Sequence, residues 1–157
     1  MIEALLLGAA AVLAGPANGF RPDAVQQSAP EPKVAMPARI LIVEDEFLVA
    51  LDVERIVIDG GHVVIGIAAT ADDAVKQAEQ DRPDLVLMDI RLATARDGID
   101  AAIELRQRLN IDCLIVSAHI DPSTKQRAAA ASPRGFVSKP VSSGMLQRAI
   151  AAALNKP

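Results

Sequence analysis

A doubly wound, five-stranded parallel α/β sheet with helices on both faces is the fold class the sequence predicts, and three observations predict it. Downstream of Pro37, five short β-branched-rich runs recur: RILIV, HVVIGIA, DLVLMDI, DCLIVSA and GFVSK. Between them lie Ala-, Leu- and charge-rich stretches with helical spacing. The apolar runs are continuous rather than alternating, so each strand is expected to be buried on both faces, as in a parallel sheet covered by helices.

Taken in order, the chain divides first by composition. IEALLLGAAAVLAG near the start is Ala/Leu-rich and helix-prone, but at 14 residues it is shorter than the ~20 that a membrane span needs. With Glu3 as its only charge it also lacks the positive flank of a secretory signal. From Gly15 to Pro37 there are five prolines (Pro16, Pro22, Pro30, Pro32 and Pro37) among Gln, Ser, Ala and Asp. That composition resists helix and sheet and reads as an extended linker. The expected division is therefore 1–37, an apolar segment and linker, and 38–157, the folded domain. MPARILIVEDE would make a natural start at Met36, so the upstream segment is also readable as dispensable.

The first strand, RILIV, leads into Glu44, Asp45 and Glu46, and the second, HVVIGIA, follows a helix-ending Gly-Gly turn at His62. The third ends at Asp89 in LVLMDI, the fourth at Ser117 in LIVSA, and the fifth at Lys139 in FVSKP. A last helix, SSGMLQRAIAAALNK, closes the pattern, and no effector domain is expected after it. Cys113, the single cysteine, lies in the apolar run CLIV and is expected to pack as a small hydrophobe, which suits a reducing, cytoplasmic setting. A net charge of −4 and 2% aromatic residues, with no Trp or Tyr, leave little for a nucleic-acid surface, so direct DNA binding is not expected.

Parallel α/β sheets carry their functional loops at the carboxyl ends of the strands. Glu44, Asp45, Asp89, Ser117 and Lys139 should therefore converge on one rim. Three carboxylates so close would repel and raise a pKa unless a cation holds them ionised. Oxygen ligands without His or Cys favour Mg²⁺ or Mn²⁺ over zinc. A lysine and a hydroxyl beside that cation suit a phosphoryl group.

The set VEDE, LVLMDI, VSA and FVSKP, in that order on a fivefold β/α repeat, resembles the receiver domain of two-component response regulators, over about residues 38–154. The resemblance implies a flavodoxin-like strand order of 2-1-3-4-5. It implies that a sensor histidine kinase or histidine phosphotransfer protein donates a phosphoryl group to Asp89. Glu44, Asp45 and Asp89 would hold Mg²⁺ together with the backbone carbonyl of Arg91. Lys139 and Ser117 would contact the phosphoryl oxygens, Phe136 would move as Ser117 is drawn inward, and the Lys139–Pro140 peptide would be cis. One departure stands out. The stretch IRLATARDGIDAA after Asp89 lacks the family's usual proline and is one residue longer before Gly98.

Plainer readings exist for each residue. The acids at 44–46 could favour the positive end of a following helix, Asp89 could cap one, Ser117 could hold the turn after its strand, and Phe136 could be core. His119 reads as a solvent-facing loop residue near Arg91. An aspartyl-nucleophile hydrolase would need an acid two residues after Asp45, where Phe47 stands, and no Gly-rich phosphate loop is present. The reading is thus a single-domain response regulator, not an enzyme beyond its own phosphorylation and dephosphorylation. It would signal through a partner-docking surface within residues 122–154. The alternatives are a phosphorelay shuttle or phosphate sink, and a receiver-like binding module that is never phosphorylated.

Overall fold

The computed structural model describes residues 36–155. The expectations for the apolar segment and linker fall almost wholly on residues 1–35 and lie outside it. Five strands alternate with helices: β1 (Arg39–Val43), α1 (Phe47–Asp59), β2 (Val63–Ala68), α2 (Ala71–Asp81), β3 (Leu85–Met88), α3 (Gly98–Leu109), β4 (Cys113–Ser117), α4 (Pro122–Ala128), β5 (Phe136–Ser138) and α5 (Ser143–Leu154). A 3₁₀ turn, Ala129–Ala131, extends α4. All strands are parallel, in the order β2-β1-β3-β4-β5. The order reverses at β1, which places a crevice between the ends of β1 and β3.

The continuous apolar strands serve two cores because successive side chains point to opposite faces. Leu41, Val43, Val86, Met88, Cys113 and Ile115 pack with residues of α2 and α3 on one face. Ile40, Ile42, Leu85, Leu87, Leu114 and Val116 pack with α1 and α5 on the other. The central strands β3 and β4 are buried throughout, whereas the edge strand β2 is mostly half-buried. A register shift between Ile40 and Leu41 skips one residue of β2.

Helix starts follow local chemistry. Thr70, Asp97, Asp121 and Ser142 each accept a backbone N–H from three residues on, capping α2, α3, α4 and α5. After α1, Gly61 takes φ +83°, the left-handed region that favours glycine. His62 does more than follow this turn, since its Nδ1 accepts the N–H of Ala38 at 3.2 Å and ties the start of β1 to that of β2. Among the described residues, no helix is long and apolar enough to cross a membrane.

Candidate functional site

Backbone register builds the site. Asp89 N–H donates to Val43 O at 3.0 Å, Glu44 N–H to Ala68 O at 2.9 Å, and Lys139 N–H to Ser117 O at 3.1 Å. Each strand end is thus locked to its neighbour, and the residues just beyond those ends gather at one rim. Glu44, Asp45 and Asp89 each place a carboxylate oxygen within 4.8 Å of the others. Glu44 (4% exposed) and Asp89 (6%) are buried, as is Ser117, while Asp45 is the most open of the three acids. A cleft of about 220 Å³ opens above them, lined by Asp45, Asp89, Arg91, Ser117, His119 and Lys139 among others.

Lys139 reaches into the acids, with Nζ 2.5 Å from Glu44 Oε2 and 3.0 Å from Asp89 Oδ2. Burial opposes the charge on this amine, but the hydrogen bonds to Glu44 and Asp89 outweigh it and raise the pKa. Burial likewise pushes the Glu44 carboxyl above its ordinary range, against the hydrogen bonds from Lys139 and from the Glu46 N–H, and the charge of Asp89 adds to the rise. Three converging oxygen donors with a deficit of positive charge fit a hard divalent cation. The other Asp89 oxygen, Oδ1, accepts the Arg91 N–H at 3.4 Å.

The plainer readings divide. Asp89 is not a helix cap, because Asp97 caps α3. Glu46 occupies the N-cap position of α1 but makes no capping bond with its side chain. Ser117 does hold the turn after its strand, its Oγ accepting the His119 N–H at 3.4 Å. His119 is exposed, as expected of a loop histidine. Two predicted site residues do not line the cleft: Glu44, buried and hydrogen-bonded to Lys139, and Phe136. Phe136 is half-buried against the core on the α2–α3 face, with Lys125 Nζ 5.6 Å from its ring centroid. The Lys139–Pro140 peptide is cis.

Gly98 is a residue whose role sequence reasoning missed. Its N–H donates to Ile90 O at 2.9 Å, closing the loop after Asp89. A Cβ at this position would lie 1.8 Å from Asp89 O and 2.8 Å from Asp89 C. The start of α3 therefore presses directly on the peptide that carries Asp89, and only glycine allows it. The available signal was Asp-Gly opening a helical stretch in ARDGIDAA.

Residues 40–151 match the response regulator receiver domain family. Over 122 residues the chain is 34% identical to the transcriptional regulatory protein PdtaR of Mycobacterium tuberculosis, covering 78% of this chain and 59% of PdtaR. The chain thus spans about three-fifths of that relative's length. Over 124 residues it is 32% identical to the chemotaxis protein CheY of Bacillus subtilis, covering 76% of this chain and 100% of CheY. Among solved structures, the receiver domain of a modulated diguanylate cyclase from Desulfovibrio desulfuricans G20 is 34% identical with a TM-score of 0.70, over 75% of this chain and 94% of that one. Most of the chain lies inside the matched span, and its sheet order is that of the matched folds, so the protein belongs to the response regulator receiver domain family of two-component signalling.

Proposed function

We propose that the protein is a single-domain response regulator. Asp89 accepts a phosphoryl group from a sensor histidine kinase or histidine phosphotransfer protein in a Mg²⁺-dependent reaction, and the docking surface within residues 122–154 changes in response. The observation that carries this reading is the setting of Asp89, a buried carboxylate at the switch-point crevice with Lys139 Nζ 3.0 Å away and two further acids beside it.

The chain's own residues divide the task as follows. A carboxylate oxygen of Asp89 attacks phosphorus in line as the bond from phosphorus to the donor's histidine nitrogen breaks, and the released imidazole takes its proton from solvent. Anion meets anion in this step, so charge neutralisation and positioning dominate the catalysis. Glu44, Asp45, Asp89 and the Arg91 carbonyl would hold a Mg²⁺ ion, which supplies positive charge to the phosphoryl oxygens when bound. Lys139, bonded to both Glu44 and Asp89, provides a second positive charge, and Ser117 supplies a hydroxyl donor at the end of β4. Phe136, two residues before β5 ends, is the aromatic that follows Ser117.

Intact mass after incubation with Mg²⁺ and acetyl phosphate tests the reading. A phosphoryl adduct is expected on the parent protein, lost on chelation and lost in Asp89→Ala. An adduct that persists in Asp89→Ala, or its absence from the parent with every donor tried, overturns it.

A further inference from the structure

Helix α4 is held to the domain with little apolar help. Its seven residues, PSTKQRA, bury only Ala128, whereas α3 buries five residues and α5 three. Its two charged residues, Lys125 and Arg127, reach out on opposite flanks. Arg127 Nη2 lies 2.8 Å from Asp97 Oδ2 and 3.5 Å from Asp100 Oδ1 at the start of α3. Lys125 Nζ stands 5.6 Å from the centroid of the Phe136 ring on β5.

Both anchor points belong to the phosphorylation site's surroundings. Asp97 ends the loop that begins after Asp89, and its neighbour Arg96 is fixed by Asp72 of α2 and Glu104 of α3. Asp97 is thereby a stationary post, and Arg127 is the partner free to leave. Phe136 opens β5, and Lys139 is the first residue past the end of that strand. A displacement of the Phe136 ring changes what the Lys125 arm is attached to, while Asp97 stays in place as Arg127 leaves.

We propose that Lys125 and Arg127 form a two-armed electrostatic clamp that seats α4 on the unphosphorylated domain, and that loosening it reports the state of Asp89 at the surface. The second half rests on the phosphoacceptor reading above. Neither arm is strong. The Arg127 side chain is 54% exposed and that of Asp97 28%, so each arm biases the seated position by about 2–5-fold, and both together by about 10-fold. A bias of that size is readily undone, which is what a switching element requires.

Hydrogen exchange of the full chain, read by mass spectrometry on a peptide covering 122–131 with α5 as the internal control, tests the clamp. In about 0.05 M salt, the Lys125→Gln/Arg127→Gln double variant should exchange about 10-fold faster than the parent over 122–131, with α5 unchanged. Asp97→Asn keeps the helix cap but removes the charge, so it should reproduce the Arg127→Gln effect. Raising salt to about 0.5 M should loosen the parent and leave the double variant nearly unaffected. Phosphorylation, followed by intact mass on the same samples, should loosen the parent by a larger factor than the double variant. Equal exchange in parent and double variant at low salt overturns the clamp. Equal phosphorylation factors in the two overturn its coupling to Asp89. Failure to form an adduct overturns the phosphoacceptor reading instead, and the low-salt comparison still decides whether the clamp exists.

Discussion

Replacing Gly98 by Ala sets two effects of opposite sign against each other. Helix propensity alone favours Ala over Gly by up to about 1 kcal/mol in a helix interior, and less at a first helical position. Contact geometry opposes it. The added Cβ would stand 1.8 Å from Asp89 O, where ordinary contact begins at 3.4 Å, so about 1.6 Å of separation must be found. The obstructing atom is a main-chain carbonyl and cannot rotate away as a flexible side chain would. The Gly98 N–H to Ile90 O bond holds the same two segments together, so opening the gap also strains that bond. Overpacking of this kind costs about 1–3 kcal/mol, and the rigid obstacle puts Gly98→Ala at the upper end, for a net loss of about 2 kcal/mol. Equilibrium urea unfolding measures it. A second readout separates this contact from generic destabilisation. The displaced peptide is that of Asp89, so the rate of adduct formation with acetyl phosphate should fall under conditions where the variant is still fully folded. A Gly98→Ala protein as stable as the parent, with an unchanged rate, would refute the reasoning.

Two further predictions follow from buried charge. Asp112 is 2% exposed and holds Arg106 at 2.7 Å and Arg134 at 3.2 Å, joining the end of α3 to the segment before β5. Asp112→Ala leaves both guanidinium groups without that carboxylate and should cost about 2–4 kcal/mol by urea unfolding, less than a fully buried pair because both arginines reach water. A loss under about 1 kcal/mol would show that the pair contributes no more than a surface ion pair. Glu44 has a folded pKa raised by burial above its ordinary 4.5, so the folded state binds its proton more tightly than the unfolded state does. Its contribution to stability therefore falls as pH rises from 4.5 toward the raised value. The difference in unfolding free energy between the parent and Glu44→Gln should show that decline, and Mg²⁺ should flatten it by favouring the carboxylate. A difference that rises with pH over this window would refute the assignment.

The legibility of the sequence follows the range over which each signal acts. Strands such as LVLM, and CLIVS up to its terminal serine, declared themselves because burial on both faces leaves no polar position before the strand end. The rim residues were legible because the end of a buried strand is where a polar residue first appears, and parallel topology collects those ends at one edge. Contacts between segments distant in sequence were not legible. Nothing in the local pattern around Gly98 says that the Asp89 carbonyl lies against it, because that closeness is set by how α3 docks on β3. The ion pairs of Arg96 and Arg127 are similar, since an arginine on a polar stretch has many carboxylates within reach of its long side chain. Phe136 shows the same limit from the other side. Its place three residues before Lys139 was legible in FVSKP, but not that Lys125 of α4 stands 5.6 Å from the centroid of its ring.

The two separate cores make the sheet a partition wall between two workshops. Helices α1 and α5 rest on one core, and α2 and α3 on the other, while the rim residues hang from the wall itself. A lineage can therefore refit the helices on one side for a new partner by repacking a single core, with little strain transmitted to the other, since substitutions without shared contacts add nearly independently. The chemistry at the strand ends is inherited unchanged by either renovation. One chassis can thus carry many conversations across a single unaltered rim.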